Sequence, residues 1–190
     1  MKVTLSVLAL ALCLPLVNAQ SNSSAKASDP TSTATSHNLG DLPPEIGVTY
    51  CDGVPGILNT GSIHARGSVV AADNMVLLSV QDITANSLGY FIVGEAREYI
   101  PNPAGSQGDL CIGGAIGRLH GLNGFGQILN SGPNGFYELW IDLTALPLNP
   151  NRMVVAGETW RFQSWYRMPG QPVADNSDSD FTNAIEIQFQ

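Results

Sequence analysis

Positive charge is scarce in this chain. Eight lysines and arginines stand against sixteen acidic residues, giving a formal net charge of −8. A nucleic-acid binder presents a basic patch or stripe, and no such stretch occurs here. The same deficit argues against adsorption to an anionic membrane. Cysteine is nearly as scarce. Cys13, Cys51 and Cys111 are the only three, too few and too far apart for a zinc cage. No apolar run reaches the ~20 residues of a membrane-spanning helix. No segment sustains a 3.6-residue apolar period between caps, and ALPLNP forbids a long helix because proline removes donors and clashes with the preceding turn. The common catalytic signatures are missing as well: there is no G-x-S-x-G elbow and no H-E-x-x-H. His64 and His120 lie outside any triad pattern and read as surface or packed residues.

What is present starts with a leader. Met1-Lys2 precedes a short apolar run from Val3 to Val17, and small residues end it at Ala19. A positive start, an apolar middle and an A-x-A-like end predict a secretory signal peptide over residues 1–19. Anchoring through Cys13 as a lipoprotein is the alternative, disfavoured by Leu12 immediately before it. Residues 20–44 are rich in Ser, Thr, Ala and Pro, and such composition cannot bury enough surface to offset ordering entropy. They read as a flexible linker, with a glycosylation sequon at Asn22 and a solvated His37. Residues 45–190 then form one domain of common size. Export places the protein as secreted, or at the cell surface or in the periplasm, where the two remaining thiols, Cys51 and Cys111, are expected to pair. Two free buried thiols are the alternative. Closing a loop of about 60 residues is worth about 4 kcal/mol in the chain-entropy model.

The domain reads as strands and turns. In GETWRFQSWYR, Trp160, Phe162 and Tyr166 share one parity with Ser164. Thr159, Arg161, Gln163 and Arg167 take the other, with Trp165 as an exception. NAIEIQF and FYELWIDL alternate in the same two-residue rhythm of a half-buried strand. Earlier candidates are residues 61–71, 75–80, 88–94, 109–119 and 124–130, separated by Gly- and Pro-rich turns. Short strands at even spacing predict an all-β fold, an antiparallel β-sandwich of jelly-roll or immunoglobulin-like type.

The stretch PNPAGSQGDLCIGGAIGRLHG invites comparison with a phosphate-cradling loop. It lacks the G-x-G-x-x-G spacing and the P-loop lysine, and its continuation, GRLHGLNGFGQIL, holds too many glycines for a helix. Glycine inside a strand marks a bulge, a bend or close backbone approach. These glycines therefore read as architectural, with Gly113 and Gly114 leaving room for a segment brought in by the disulfide.

Three constellations could carry chemistry. Glu138 and Asp142 share a strand face with Trp140 between them, but i and i+4 on a strand lie about 13 Å apart, beyond the usual glycosidase separation. A hydrolase would need a further carboxylate such as Glu158, and a solvated polar face is the plainer reading. Asn176, Asp178 and Asp180 in DNSDSDFTN could ligate Ca²⁺, although the EF-hand glycine and terminal glutamate are absent; a solvated acidic loop is the simpler account. Trp140 and Trp165, with Arg161 and Gln163, could stack on and hydrogen-bond a sugar. Trp165 breaks parity and is the expected exposed ring. A core plus one surface aromatic is the bland alternative.

YCDGVPGILNTGSIHARGS, LGYFIVG, PNPAGSQGDLCIGGAIGRL, GQILNSGPNGFYELWIDLTALP, GETWRFQSWYR and SDFTNAIEIQF, in this order, resemble a recurrent secreted bacterial β-rich domain of unassigned function, often C-terminal in large exported proteins. The resemblance covers Thr49 to the last residue. It implies an extracellular β-rich module with paired cysteines and assigns no functional residues. The acidic DNSDSD departs from its pattern, as does a module that makes up nearly all of the chain after the leader. The expected function is a non-enzymatic module for surface, adhesion or assembly interactions with a protein or polysaccharide at the cell exterior. Carbohydrate binding through exposed aromatics is the second expectation and a glycoside hydrolase the third. On this basis N-terminal sequencing of the exported protein should begin at Gln20. Neither remaining cysteine should alkylate without prior reduction, and two reactive thiols would contradict the pairing.

Overall fold

The computed structural model describes residues 42–51, 61–119, 128–168 and 178–190. Among them the chain forms strands β1 (Val48–Tyr50), β2 (Ser62–Gly67), β3 (Val76–Gln81), β4 (Leu88–Ile100), β5 (Leu110–Arg118), β6 (Leu129–Asn130), β7 (Tyr137–Ile141), β8 (Thr159–Arg167) and β9 (Ser179–Gln188), and no α-helix. A six-stranded sheet runs in the order β1-β9-β8-β4-β5, with β6 also paired to β4, and a three-stranded sheet runs β2-β3-β7. All pairings are antiparallel. The expected class, an all-β antiparallel sandwich with one disulfide, is the class observed. The sheets are unequal and the sandwich is open.

Alternation builds the inner core. Ile63, Val76, Leu78 and Ile141 from the small sheet meet Phe91, Phe162, Ile185 and Ile187 from the large one, all buried. Dry, interdigitated side chains of this kind are the main favourable term in folding. The same alternation puts Arg161, Gln163 and Trp165 on the outer face of the large sheet. Trp165 departs from the polar rhythm because that face carries a core of its own, in which Ile92, Cys111, Ile112, Phe181 and Ala184 pack together with Trp165 against them.

A bulge sets the phase of β9. Gln163 pairs with Ala184 but Trp165 pairs with Phe181, so Thr182 and Asn183 together oppose Ser164. The extra residue reverses which side the following positions face. Phe181 therefore lies on the outside with Trp165, and Asp180 turns inward.

The outer core exists because the β4–β5 hairpin folds over the sheet. β4 runs six residues past the apolar stretch LGYFIVG. Its pairing with β5 is irregular between Gly94 and Ala96, and again between Arg97 and Ile100. Beyond that point the hairpin is bonded to the far strands: the Gln107 amide donates to the Ser179 carbonyl (2.9 Å), and the Ser106 hydroxyl to the same oxygen (3.1 Å). Cys111 then reaches Cys51, just past β1, with 6.2 Å between their α-carbons. Glycines permit this approach. A Cβ on Gly113 would lie 2.5 Å from the Glu98 Cβ, and one on Gly108 would lie 2.9 Å from the Phe181 amide nitrogen. The glycines are architectural as expected, but the space at Gly113 is occupied by Glu98 of the neighbouring strand and not by the Cys51 segment.

One side chain ties the hairpin down. Gln163 is fully buried. Its carboxamide oxygen accepts from the Cys111 amide (2.9 Å), while its nitrogen donates to the Asp109 carbonyl (2.9 Å) and the Thr182 carbonyl (2.7 Å). Gln163→Leu would leave three buried backbone groups without partners, each worth about 1–3 kcal/mol. We expect a loss of about 3 kcal/mol or more in urea unfolding, against less than about 0.5 kcal/mol for Gln188→Leu on the exposed end of β9.

Candidate functional site

The outer face of the large sheet holds the one strong concentration of aromatic and cationic side chains among the described residues. Beside the disulfide lies an open groove of about 380 Å³, lined by Tyr50, Cys51, Arg97, Glu98, Tyr99 and Cys111. Its walls are fixed. The Tyr50 hydroxyl donates to the Cys111 carbonyl (3.0 Å), and the Arg97 guanidinium lies over the Tyr50 ring, 4.3 Å from its centroid. Arg97 Nε donates to Glu186 Oε2 (2.9 Å), and Arg161 Nε stands 3.5 Å from the same oxygen. The Tyr99 hydroxyl donates to Asp109 Oδ2 (2.9 Å). Burial pushes the Tyr50 phenol up to about 12, only partly offset by Arg161 and Arg97. The Arg97 hydrogen bond holds Glu186 below its usual range. At neutral pH the phenol therefore stays protonated and Glu186 stays ionised.

A second feature crosses the same face. Tyr90 of β4 stands between β5 and β8. Arg118 covers its ring from the β5 side at 3.9 Å. Trp165 stacks on it from the β8 side, with centroids 5.0 Å apart and planes 30° from parallel. Arg167 lies 5.6 Å from the Trp165 ring. The order is cation, ring, ring, cation.

This changes the expected sugar site. Trp165 is half-buried and not the free ring anticipated, because Tyr90 stacks on it and Arg167 lies beside it. Gln163 cannot hydrogen-bond a sugar, since its amide is consumed by the backbone contacts described above. Arg161 is half-buried, and its Nη1 donates to the Glu95 and Thr159 carbonyls (2.6 and 3.0 Å). Trp140 is 38 % exposed, but it lies on β7, on the outer face of the other sheet. The four residues do not converge.

The carboxylates nominated for hydrolysis do not converge either. β7 ends at Ile141, and Asp142 beyond it accepts from the Thr144 hydroxyl (2.6 Å) and from Asn74 Nδ2 (3.2 Å). The Thr144 bond leads in lowering its pKa. Glu138 projects from the exposed side of β7. Burial would raise Glu158, but the Trp160 indole N–H (2.9 Å), the Val155 amide (3.1 Å) and Arg152 (2.6 Å) outweigh it and hold the carboxyl below its usual range. A glycosidase acid needs the opposite shift.

The calcium set is also divided. Asn176 lies outside the described residues. Asp178 is exposed and pairs with Arg167. Asp180 is fully buried, turned inward by the bulge, and accepts from the Tyr166 hydroxyl (3.0 Å) and the Phe181 amide (2.6 Å). Among the described residues no three acidic, histidine or cysteine side chains gather as a metal cage would require. The groove itself was not foreseen. Glu98 and Tyr99 lie in EAREYI, whose polar character conceals a strand that has left the inner core.

No protein-family model matches the chain, and no curated protein or solved structure gives a match.

Asp180 generates a pH prediction. Burial is the leading cause that raises its pKa from 3.8 to about 6, with the Asp109 carboxylate adding to it. A raised acid favours the fold in its protonated form. Its contribution is complete below about pH 4 and is lost as pH rises through about 6, a change of about 3 kcal/mol for such a shift. Asp180→Asn should therefore gain stability relative to the parent chain between pH 4 and 7.5 in urea unfolding. A difference that is constant with pH would contradict the assignment.

Proposed function

We propose that this chain is an extracellular, non-enzymatic module that works by holding a partner at the cell exterior, reached through its N-terminal leader. The observation that carries this reading is the groove beside the disulfide, in which Tyr50, Arg97 and Tyr99 are held by hydrogen bonds. Preorganised walls favour binding, because little side-chain entropy is left to lose on association. Proton-transfer chemistry finds little support in the same features. Asp142, Glu158 and Glu186 are held as anions by their donors, and the one carboxyl raised toward neutrality, Asp180, is fully buried and bonded to Tyr166. The disulfide suits an oxidising compartment. No helix among the described residues is long and apolar enough to cross a membrane. The resemblance to a recurrent secreted bacterial domain gives the same reading.

The test is retention from culture medium and envelope extract on the immobilised full chain, with Tyr99→Ser in the groove and Trp140→Ala on the opposite face. A partner protein should be retained by the parent chain and by Trp140→Ala, and should fall at least tenfold on Tyr99→Ser. Retention of a polysaccharide that Trp140→Ala abolishes would replace this reading with the saccharide one. Hydrolysis of a glycan that disappears with Glu158→Gln would replace it with the enzymatic one.

A further inference from the structure

We infer that the end of the large sheet carrying Arg118, Tyr90, Trp165 and Arg167 is a docking surface for an acidic protein segment. The inference rests on the binding-module reading and names the chemistry of the partner. Of the six arginines among the described residues, Arg97, Arg118, Arg161 and Arg167 stand on this one face, in a chain of net charge −8. Three of them have carboxylate partners: Arg97 and Arg161 share Glu186, and Arg167 pairs with Asp178. Arg118 forms no ion pair among the described residues. Its guanidinium lies over the Tyr90 ring, 3.9 Å from the centroid, a contact that positions a cation without neutralising it. Arg is suited to this role because its planar fork binds a carboxylate through two parallel N–H donors.

The surroundings favour a protein over a polysaccharide. Ile116, two residues before Arg118, is 44 % exposed, and Leu88, two residues before Tyr90, is 46 % exposed. Aliphatic side chains beside Trp, Tyr and Arg make the composition of a protein interface centre. A sugar needs an open ring face, and Tyr90 and Trp165 are stacked on each other with an arginine beside each. Charge gives direction as well. In a chain of net charge −8, an acidic segment is attracted to Arg118, the arginine of this face without a carboxylate partner among the described residues, and this favours one orientation of the encounter.

The experiment pans a display library of random twelve-residue peptides against the immobilised full chain, then measures selected peptides on the parent chain, Arg118→Glu and Ile116→Ser. Both substitutions are at exposed positions, and melting temperature confirms folding. Enriched peptides should carry Asp or Glu beside apolar residues. Arg118→Glu should weaken them at least tenfold, Ile116→Ser several-fold, and raising salt from about 50 to 500 mM should weaken them further. Polygalacturonate, which offers the same carboxylates on a sugar chain, should bind at least tenfold more weakly. Peptides without acidic enrichment, equal binding to Arg118→Glu, or tighter binding of polygalacturonate would each overturn the inference. A partner from culture medium retained equally by the parent chain and Arg118→Glu would sink this surface while leaving the binding module intact. A hydrolysed substrate would sink the module itself.

Discussion

The bond between Cys51 and Cys111 joins opposite edges of one sheet. Cys51 follows β1 at one end of the strand order, and Cys111 is the second residue of β5 at the other. A flat sheet cannot bring these sulfurs together, because strands lie about 4.8 Å apart and three others intervene. The hairpin has to leave the plane and lie across the face, and this displacement shapes everything on that face. Gln163 supplies donors and acceptors to a backbone that would otherwise be buried without them. The apolar side chains of β8 and β9 gain a cover, and the groove opens where the hairpin meets Tyr50.

Electrostatics in this protein is a matter of allocating few cations among many anions. Glu186 takes two arginines. Arg152 answers both Glu95 and Glu158. Asp142 is satisfied by neutral donors alone. Asp180 has no cation and is instead held near neutrality by burial. Local structure thus lowers the pKa of Asp142, Glu158 and Glu186 and raises that of Asp180. Isolated exposed ion pairs add little to stability, so the value of these contacts lies in orientation, above all in keeping Arg97 against the Tyr50 ring.

The inner core was legible from the sequence because it obeys the two-residue period. Trp160, Phe162 and Tyr166 on β8, and Ile185 and Ile187 on β9, face where parity puts them. The disulfide was legible by counting. The outer core was not, because its members come from segments that look polar or irregular. EAREYI reads as solvated, yet Arg97 and Tyr99 line the groove. Trp165 reads as an exposed exception, yet it is half-buried and packs against the outer core. Asp180 reads as part of an acidic loop, and a single inserted residue at Thr182–Asn183 turns it inside. Bulges and folded hairpins are long-range solutions that leave only local irregularities in the sequence, and Gly94, Gly113 and Gly114 were the visible trace of this one.

The two hydrophobic layers differ in what they require. Every apolar contact of the inner layer is present without either sulfur, since both cysteines belong to the outer one. A chain emerging reduced can therefore close its sandwich first and seat the hairpin afterwards, with oxidation as the final stitch. The groove beside the sulfurs would then mature later than the inner layer, and only in a compartment able to make that stitch.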